Sequence, residues 1–172
     1  MILERLIPVL LLKNRGLVKS VKFKDFTYIG DPINAVRIFN EKEVDELCLI
    51  DIEVSKKGLE PDYKYIEEIA SEAFIPFAYG GGIINMDRAK RILKIGAEKL
   101  IINSALSDLK FIKDLVYHVG SQSVVASIDI KESFFGAKHL YHHTSRKTTS
   151  INFELELKKL IDCGIGELLL NS

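Results

Sequence analysis

The sequence predicts an α/β protein of the (βα)8 TIM-barrel class, incomplete as it stands: the first six strands, ending after strand 6. Three observations predict this. Short, nearly continuous apolar runs recur along the chain, the pattern of strands buried on both faces. Helical stretches with apolar residues three and four apart lie between them. The strict order of strand then helix implies right-handed crossovers and a parallel sheet.

The strands are expected at Leu6–Leu12, Leu47–Ile50, Ile75–Tyr79, Leu100–Ile102, Val124–Ile128 and Leu168–Leu170. The first helix follows Asp31-Pro32, an acidic cap before a first-turn proline, and runs to about Glu43 with Ile33, Val36 and Phe39 on one stripe. The next covers Pro61 to Glu72, with Tyr65, Ile66 and Ile69 together. Met86–Ile95 is capped by Asn85 and closed by Gly96. Leu109–His118 follows Ser107-Asp108, and Ile151–Asp162 is closed by Gly164.

Two segments break the alternation. Leu17–Phe23, after Asn14-Arg15-Gly16, and Ala137–His143, after Phe134-Phe135-Gly136, read as small hairpins following strands 1 and 5. They suggest a repeat. Residues 10–13 (Leu-Leu-Leu-Lys) resemble 128–131 (Ile-Asp-Ile-Lys), an offset of 118. Residues 44–51 resemble 165–172, an offset of 121. Strands 1 and 2 thus read as copies of strands 5 and 6, the signature of a barrel doubled from a four-unit half.

Composition sets the class of function. With 172 residues, 47% hydrophobic and 28% charged, the chain suits a single domain over 1–172 with a real core. Twenty-four basic residues balance twenty-four acidic ones, which argues against a nucleic-acid surface. The longest apolar stretches, Leu6–Leu12 and Ala73–Tyr79, are far shorter than the ~20 residues of a membrane span. The start, Met-Ile-Leu-Glu-Arg, lacks a basic region and a cleavage site, so no signal peptide is expected. Cys48 and Cys163 read as reduced thiols of a cytoplasmic protein.

The most specific local signal is Phe-Ala-Tyr-Gly-Gly-Gly-Ile at 77–83. The N–H groups of Gly80, Gly81 and Gly82 can approach a phosphate closely, helped by the helix N-terminus behind them; a tight turn needing positive φ gives the same sequence. Asn103 and Ser104 end the next strand and offer an amide and a hydroxyl beside that turn, or cap a helix. Asp129 closes strand 5 inside an apolar segment, where barrels place catalytic groups. It suits a general acid or base, or a turn cap. Its repeat counterpart is Leu11. Asp51 and Lys19 lie towards the same face. Arg5, Glu46, Lys99 and Glu167 each stand near the start of a strand and should meet at the bottom of the barrel. They would form either structural ion pairs or a polar gate on the axis. His142, His143, Arg146 and Lys147 read as an exposed loop. No metal or cofactor is expected, since adjacent histidines on a strand point apart and no other ligand spacing occurs.

With these residues located, the chain resembles the first two-thirds of the cyclase subunit of imidazole glycerol phosphate synthase, the HisF family. Arg-Leu-Ile-Pro at 5–8, Leu-Val-Lys at 17–19, Gly-Asp-Pro at 30–32, Asp-Glu-Leu at 45–47, Tyr-Gly-Gly-Gly-Ile at 79–83, Ile-Asn-Ser at 102–104, Gly-Ser-Gln at 120–122, Ile-Asp at 128–129 and Gly-Glu-Leu-Leu-Leu at 166–170 carry the resemblance. It implies a (βα)8 barrel with a HisH-type glutaminase on its bottom face, which sends ammonia through the barrel to a phosphorylated ribonucleotide above. It also implies phosphate binding at Gly82, Asn103 and Ser104, a supporting catalytic carboxylate at Asp129, a substrate-loop role for Lys19, and an ammonia gate of Arg5, Glu46, Lys99 and Glu167.

The departures narrow the function. The family's principal catalytic aspartate falls on Leu11, which cannot transfer a proton. Thr144-Ser145 replaces a glycine-containing turn, and Ile84 stands where an arginine is usual. The second phosphate site would come from strands 7 and 8. Leu-Leu-Leu-Lys-Asn at 10–14 resembles a side branch: HisF-like proteins of bacterial surface-polysaccharide pathways, associated with a glutaminase and a sugar amidotransferase that makes acetamidino sugars. Three readings follow: an ammonia-delivering subunit for sugar amidination, a cyclase of histidine biosynthesis, and a non-enzymatic interaction module or fragment. A six-strand unit alone is expected to be marginal or to self-associate.

Overall fold

A computed structural model describes residues 4–21, 24–132, 138–142, 147–149 and 153–171. In chain order the elements are β1 (Val9–Lys13), β2 (Gly16–Val21), β3 (Lys24–Gly30), α1 (Pro32–Glu41), β4 (Leu47–Asp51), α2 (Val54–Lys57), α3 (Tyr63–Ser71) and β5 (Phe77–Gly80). There follow α4 (Met86–Lys94), β6 (Lys99–Ile102), α5 (Leu109–Val119), β7 (Val124–Glu132), β8 (Lys138–His142), β9 (Lys147–Thr149), α6 (Phe153–Asp162) and β10 (Glu167–Asn171).

Strands β1, β4, β5, β6, β7 and β10 pair side by side, every pairing parallel. Between them β2–β3 and β8–β9 add antiparallel hairpins to β1 and β7. The parallel sheet is curled. Laid flat, β1 and β10 would be five spacings of about 4.8 Å apart, roughly 24 Å. Yet Arg5, just before β1, reaches Glu167, the first residue of β10, at 3.0 Å. Two side chains can close that gap only if the sheet bends towards a barrel.

The helices start where their caps dictate. Asp31, Asp62, Asn85 and Asp108 each accept a hydrogen bond from the backbone N–H three residues on, satisfying a donor the helix leaves orphaned. Hence α3 begins at Tyr63, after its cap, rather than at Pro61. The first strand starts at Val9 rather than Leu6. Leu6 gives its N–H to the Asp45 carboxylate (2.6 Å) and takes the Asp45 N–H on its carbonyl, and Pro8 has no N–H to give. The Asn14-Arg15 turn has positive φ at both residues (48° and 62°), as a two-residue hairpin requires. Arg15 is held there by an ion pair to Asp62, by the Tyr65 ring 4.8 Å away, and by the Tyr65 hydroxyl, which donates to its carbonyl.

Alternation along the strands divides the core into two layers. Leu47, Leu49, Phe77, Tyr79, Leu100 and Ile102 face outwards and meet Val36, Ile66, Ile69, Ile92, Ile112 and Leu115 of the helices. Cys48, Ala78, Ile101 and Val125, with Ile7, Ile50 and Leu169, form the inner layer. Both cysteines are buried and unpaired, and burial pushes the Cys48 thiol up to about 12.

The internal repeat is visible in the register. Leu10 and Leu11 stand beside Leu49 and Ile50; Ile128 and Asp129 stand beside Leu170 and Asn171. The offsets of 118 and 121 map one pair of strands onto the other residue for residue, and each first strand carries its hairpin. The Phe134-Phe135-Gly136 turn, His143, Thr144, Ser145 and Arg146 lie outside the described residues. No helix among the described residues is long and apolar enough to cross a membrane.

Candidate functional site

The strand starts bring four charges together. Lys99 Nζ donates to Glu46 Oε2 at 2.6 Å and to Glu167 Oε1 at 2.9 Å. Arg5 donates to the same Glu167 oxygen at 3.0 Å, and its other terminal nitrogen lies 3.6 Å from Glu46. Glu46 is only 3% exposed and lies against both cations. Burial pushes the Lys99 ammonium down, but its hydrogen bonds to both carboxylates outweigh that and leave it raised. Burial likewise pushes the Glu167 carboxyl up, and the hydrogen bonds from Lys99 and Arg5 reverse the sign and hold it lowered. All four residues expected at the barrel bottom are in this ring.

Above the ring the inner layer is apolar: the Cys48 thiol, Ala78, Ile101 and Val125. The strand ends above that become polar again at β7 and β10. Asp129, 5% exposed, accepts hydrogen bonds from Asn103 Nδ2 at 2.8 Å and from Asn171 Nδ2 at 3.1 Å. The same two amides also bond the Ser127 carbonyl (2.8 Å) and hydroxyl (3.2 Å). Under the repeat, Ser127, Asp129 and Asn171 correspond to Val9, Leu11 and Ile50. Leu11 is therefore not isolated: Ser127, Asp129 and Asn171 of the polar cluster are all matched by apolar residues in the other pair of strands.

The glycine turn has its own setting. Gly81 and Gly82 have φ of 129° and 68°. A Cβ on Gly82 would lie 2.3 Å from Val54 Cγ1, and one on Gly81 2.7 Å from the Asp51 carbonyl oxygen. Only glycine lets the turn lie this close to α2. The Gly82 N–H donates to Ser55 Oγ at 2.9 Å, and Ser104 Oγ lies 3.4 Å from the same oxygen. Arg88 holds the turn from the other side, donating to the Gly82 carbonyl at 2.8 Å and the Leu59 carbonyl at 3.2 Å while paired with Glu60.

The expected residues thus fall into two groups at the strand ends. Gly82 and Ser104 meet through Ser55; Asn103 turns instead to Asp129. Asp51 takes the outward register of Leu47 and Leu49. Its carboxylate accepts from the Glu53 and Val54 N–H groups at 2.9 and 3.3 Å and so caps α2. Burial pushes its carboxyl up, and those two N–H groups pull it only partly back. Lys19 is exposed on β2 opposite Thr27. Among the described residues no group of His, Cys, Asp and Glu could hold a metal ion. Sequence reasoning missed Ser55, Arg88, Ser127 and the role of Asn171. Only the repeat gave any signal for one of them, through the match of Asn171 to Ile50.

A curled parallel βα sheet, with a charged ring at the strand starts and a polar cluster and a glycine turn at the strand ends, is the architecture of a partial TIM barrel with a candidate site at each end of its strands. The histidine biosynthesis protein family matches residues 5–172. A protein of Leptospira borgpetersenii named "Putative imidazole glycerol phosphate synthase subunit HisF" is 49% identical over the whole of this chain and 68% of its own length. A Pseudomonas aeruginosa protein of the same name with the designation hisF2 is 48% identical over the whole chain and 69% of its own. The "Imidazole glycerol phosphate synthase subunit HisF" of Streptococcus mutans is 37% identical with the same coverage as the latter. The chain belongs to the HisF family.

Proposed function

We propose that the chain is the first six units of a (βα)8 barrel, a cytoplasmic HisF-like synthase subunit that receives ammonia from a glutaminase partner at the strand starts. Ammonia released by that partner passes the ring of Arg5, Glu46, Lys99 and Glu167. It crosses the apolar layer of Cys48, Ala78, Ile101 and Val125 as neutral NH3, because a cation would pay a large desolvation cost there. It emerges at the strand ends beside Asp129 and the glycine turn. There a phosphorylated ligand is bound by Gly81, Gly82 and Ser104, with the Asn103 amide left to Asp129, and Lys19 closes over it from the hairpin.

The observation that carries the reading is the pairing of an intact ring with apolar residues, Val9, Leu11 and Ile50, at the positions that match the polar cluster. Ring and channel need no acid–base group at the strand ends; imidazole-ring closure does. Loss of a general acid or base costs about 10²–10⁴ in rate. The ammonia is therefore assigned to acetamidino-sugar formation in surface-polysaccharide synthesis, together with a sugar amidotransferase. The test is reconstitution of the full-length protein with its glutaminase. Binding of the glutaminase with no ammonia-dependent cyclase turnover supports the reading, and turnover without any change at Leu11 overturns it.

The second reading is a cyclase of histidine biosynthesis, which the names of the relatives fit equally well. It is favoured by Asp129, which is buried and oriented by two amides, as a working acid or base would be.

A further inference from the structure

Gly82 is buried, so its N–H has no access to water and needs an acceptor within the protein or in a ligand. That acceptor is Ser55 Oγ, at 2.9 Å. The Ser104 hydroxyl is directed at the same oxygen from the neighbouring strand end, at 3.4 Å. Two donors from different elements therefore converge on a single side-chain oxygen. Val54, the residue before Ser55, fills the space a Cβ on Gly82 would need, so only glycine lets this N–H come so close to Ser55.

We propose that Ser55 is an internal stand-in for the ligand: in the empty protein its hydroxyl oxygen occupies the place that a phosphate oxygen takes in the loaded one. This rests on the reading of the glycine turn and Ser104 as a phosphate site. A phosphate oxygen bound by both donors must lie within hydrogen-bond distance of each, and Ser55 Oγ already holds that point. Binding is then an exchange. The phosphate takes the Gly82 N–H and the Ser104 hydroxyl, and Ser55 rotates about χ1 to another staggered well. The serine keeps a buried donor satisfied while the site is empty, and it weakens the ligand by the hydrogen bonds that must be given up. It discriminates by charge as well. A neutral hydroxyl ligand offers the two donors no more than Ser55 does, whereas an anionic oxygen offers roughly twice the hydrogen-bond strength. The site therefore selects a phosphomonoester over the unphosphorylated sugar or nucleoside.

The experiment is calorimetric titration of the full-length protein with inorganic phosphate, on the wild type, Ser55→Ala and Ser104→Ala. One net hydrogen bond corresponds to roughly a two- to tenfold change. Ser55→Ala should bind phosphate tighter by that factor while melting at a lower temperature without ligand, because the Gly82 N–H is then orphaned. Ser104→Ala should bind more weakly. If the wild type binds, Ser104→Ala weakens it, and Ser55→Ala is unchanged or weaker, the stand-in role is overturned and the phosphate site stands. If none of the three binds, the phosphate reading itself fails. A measurement on the wild type alone guards against a variant that does not fold: the χ1 couplings of Ser55 by NMR should change on saturation with phosphate. Unchanged couplings in the saturated protein overturn the proposal.

Discussion

Replacing Lys99 by methionine removes the cation that does most to hold the ring. Methionine keeps much of the side-chain volume, so the change is chiefly electrostatic. Glu46 would be left 3% exposed, with Arg5 as its remaining ring cation, at 3.6 Å and on a half-exposed side chain. Breaking a buried pair from one side costs about 3–5 kcal/mol, because an uncompensated charge stays inside. Arg5 retains part of the compensation, which places the cost near the lower end, about 3 kcal/mol. For a protein of 150–250 residues, each kcal/mol lowers the midpoint by roughly 2–4 °C. Lys99→Met should therefore melt about 6–12 °C below wild type, by far-UV circular dichroism on the full-length protein at pH 7. The double variant Lys99→Met with Glu46→Gln removes the stranded charge as well and should recover more than half of the loss. A single variant within about 2 °C of wild type, or a double variant less stable than the single, would refute the ring as a desolvated charge network.

Three further outcomes follow from the same geometry. The Glu167 carboxyl is lowered in the folded state, so its stabilisation is present above the unfolded value of about 4.3 and is lost as pH falls through the folded value. The wild-type midpoint should thus drop more steeply below about pH 4 than that of Glu167→Gln; parallel curves would contradict this. The Asp51 carboxyl is raised by burial, so its ionised form costs stability at neutral pH. Asp51→Asn keeps an acceptor for the Glu53 and Val54 N–H groups and should be as stable as wild type or more so at pH 7, with any advantage vanishing once both are neutral at acid pH. A clear loss at pH 7 would show that the carboxylate has a charged partner. Gly82→Ala meets Val54 at 2.3 Å and forces a positive φ on alanine. It should cost at least about 2 kcal/mol and abolish phosphate binding, measured by chemical denaturation and titration, and a variant of wild-type stability would contradict the packing.

The barrel strands were legible because each is a short Val, Ile or Leu run that must be buried on both faces, and the helices because their caps and stripes are local. The ring was legible for a related reason: four charges each at the start of a strand can only meet at one end of a barrel. The repeat in the sequence led to Leu11 and to the match of Ile50 with Asn171, and the pairing register of β1–β4 and β7–β10 extended it to Val9. What could not be read depends on contacts distant in sequence. α2 is a single turn, too short to show a helical period, so Ser55 looks like any loop serine until the glycine turn closes over it. Asn103 is adjacent to Ser104 and was grouped with it, yet successive residues at a strand end point to opposite sides, and its amide turns to Asp129. Arg88 is an ordinary helix-surface arginine by sequence. Its bonds to the Gly82 and Leu59 carbonyls exist only because α4 packs beside the turn.

The most direct test of the central claim, a HisF-like barrel that conducts ammonia but does not close the imidazole ring, is ammonia-dependent turnover of the bis-phosphorylated aminoimidazole-carboxamide ribonucleotide by the full-length protein and its Leu11→Asp variant. The account predicts no imidazole glycerol phosphate from the wild type, and a gain of roughly 10²-fold or more over background from Leu11→Asp, with glutaminase binding equal in both. Wild-type turnover equal to that of Leu11→Asp would contradict it and assign the protein to histidine biosynthesis.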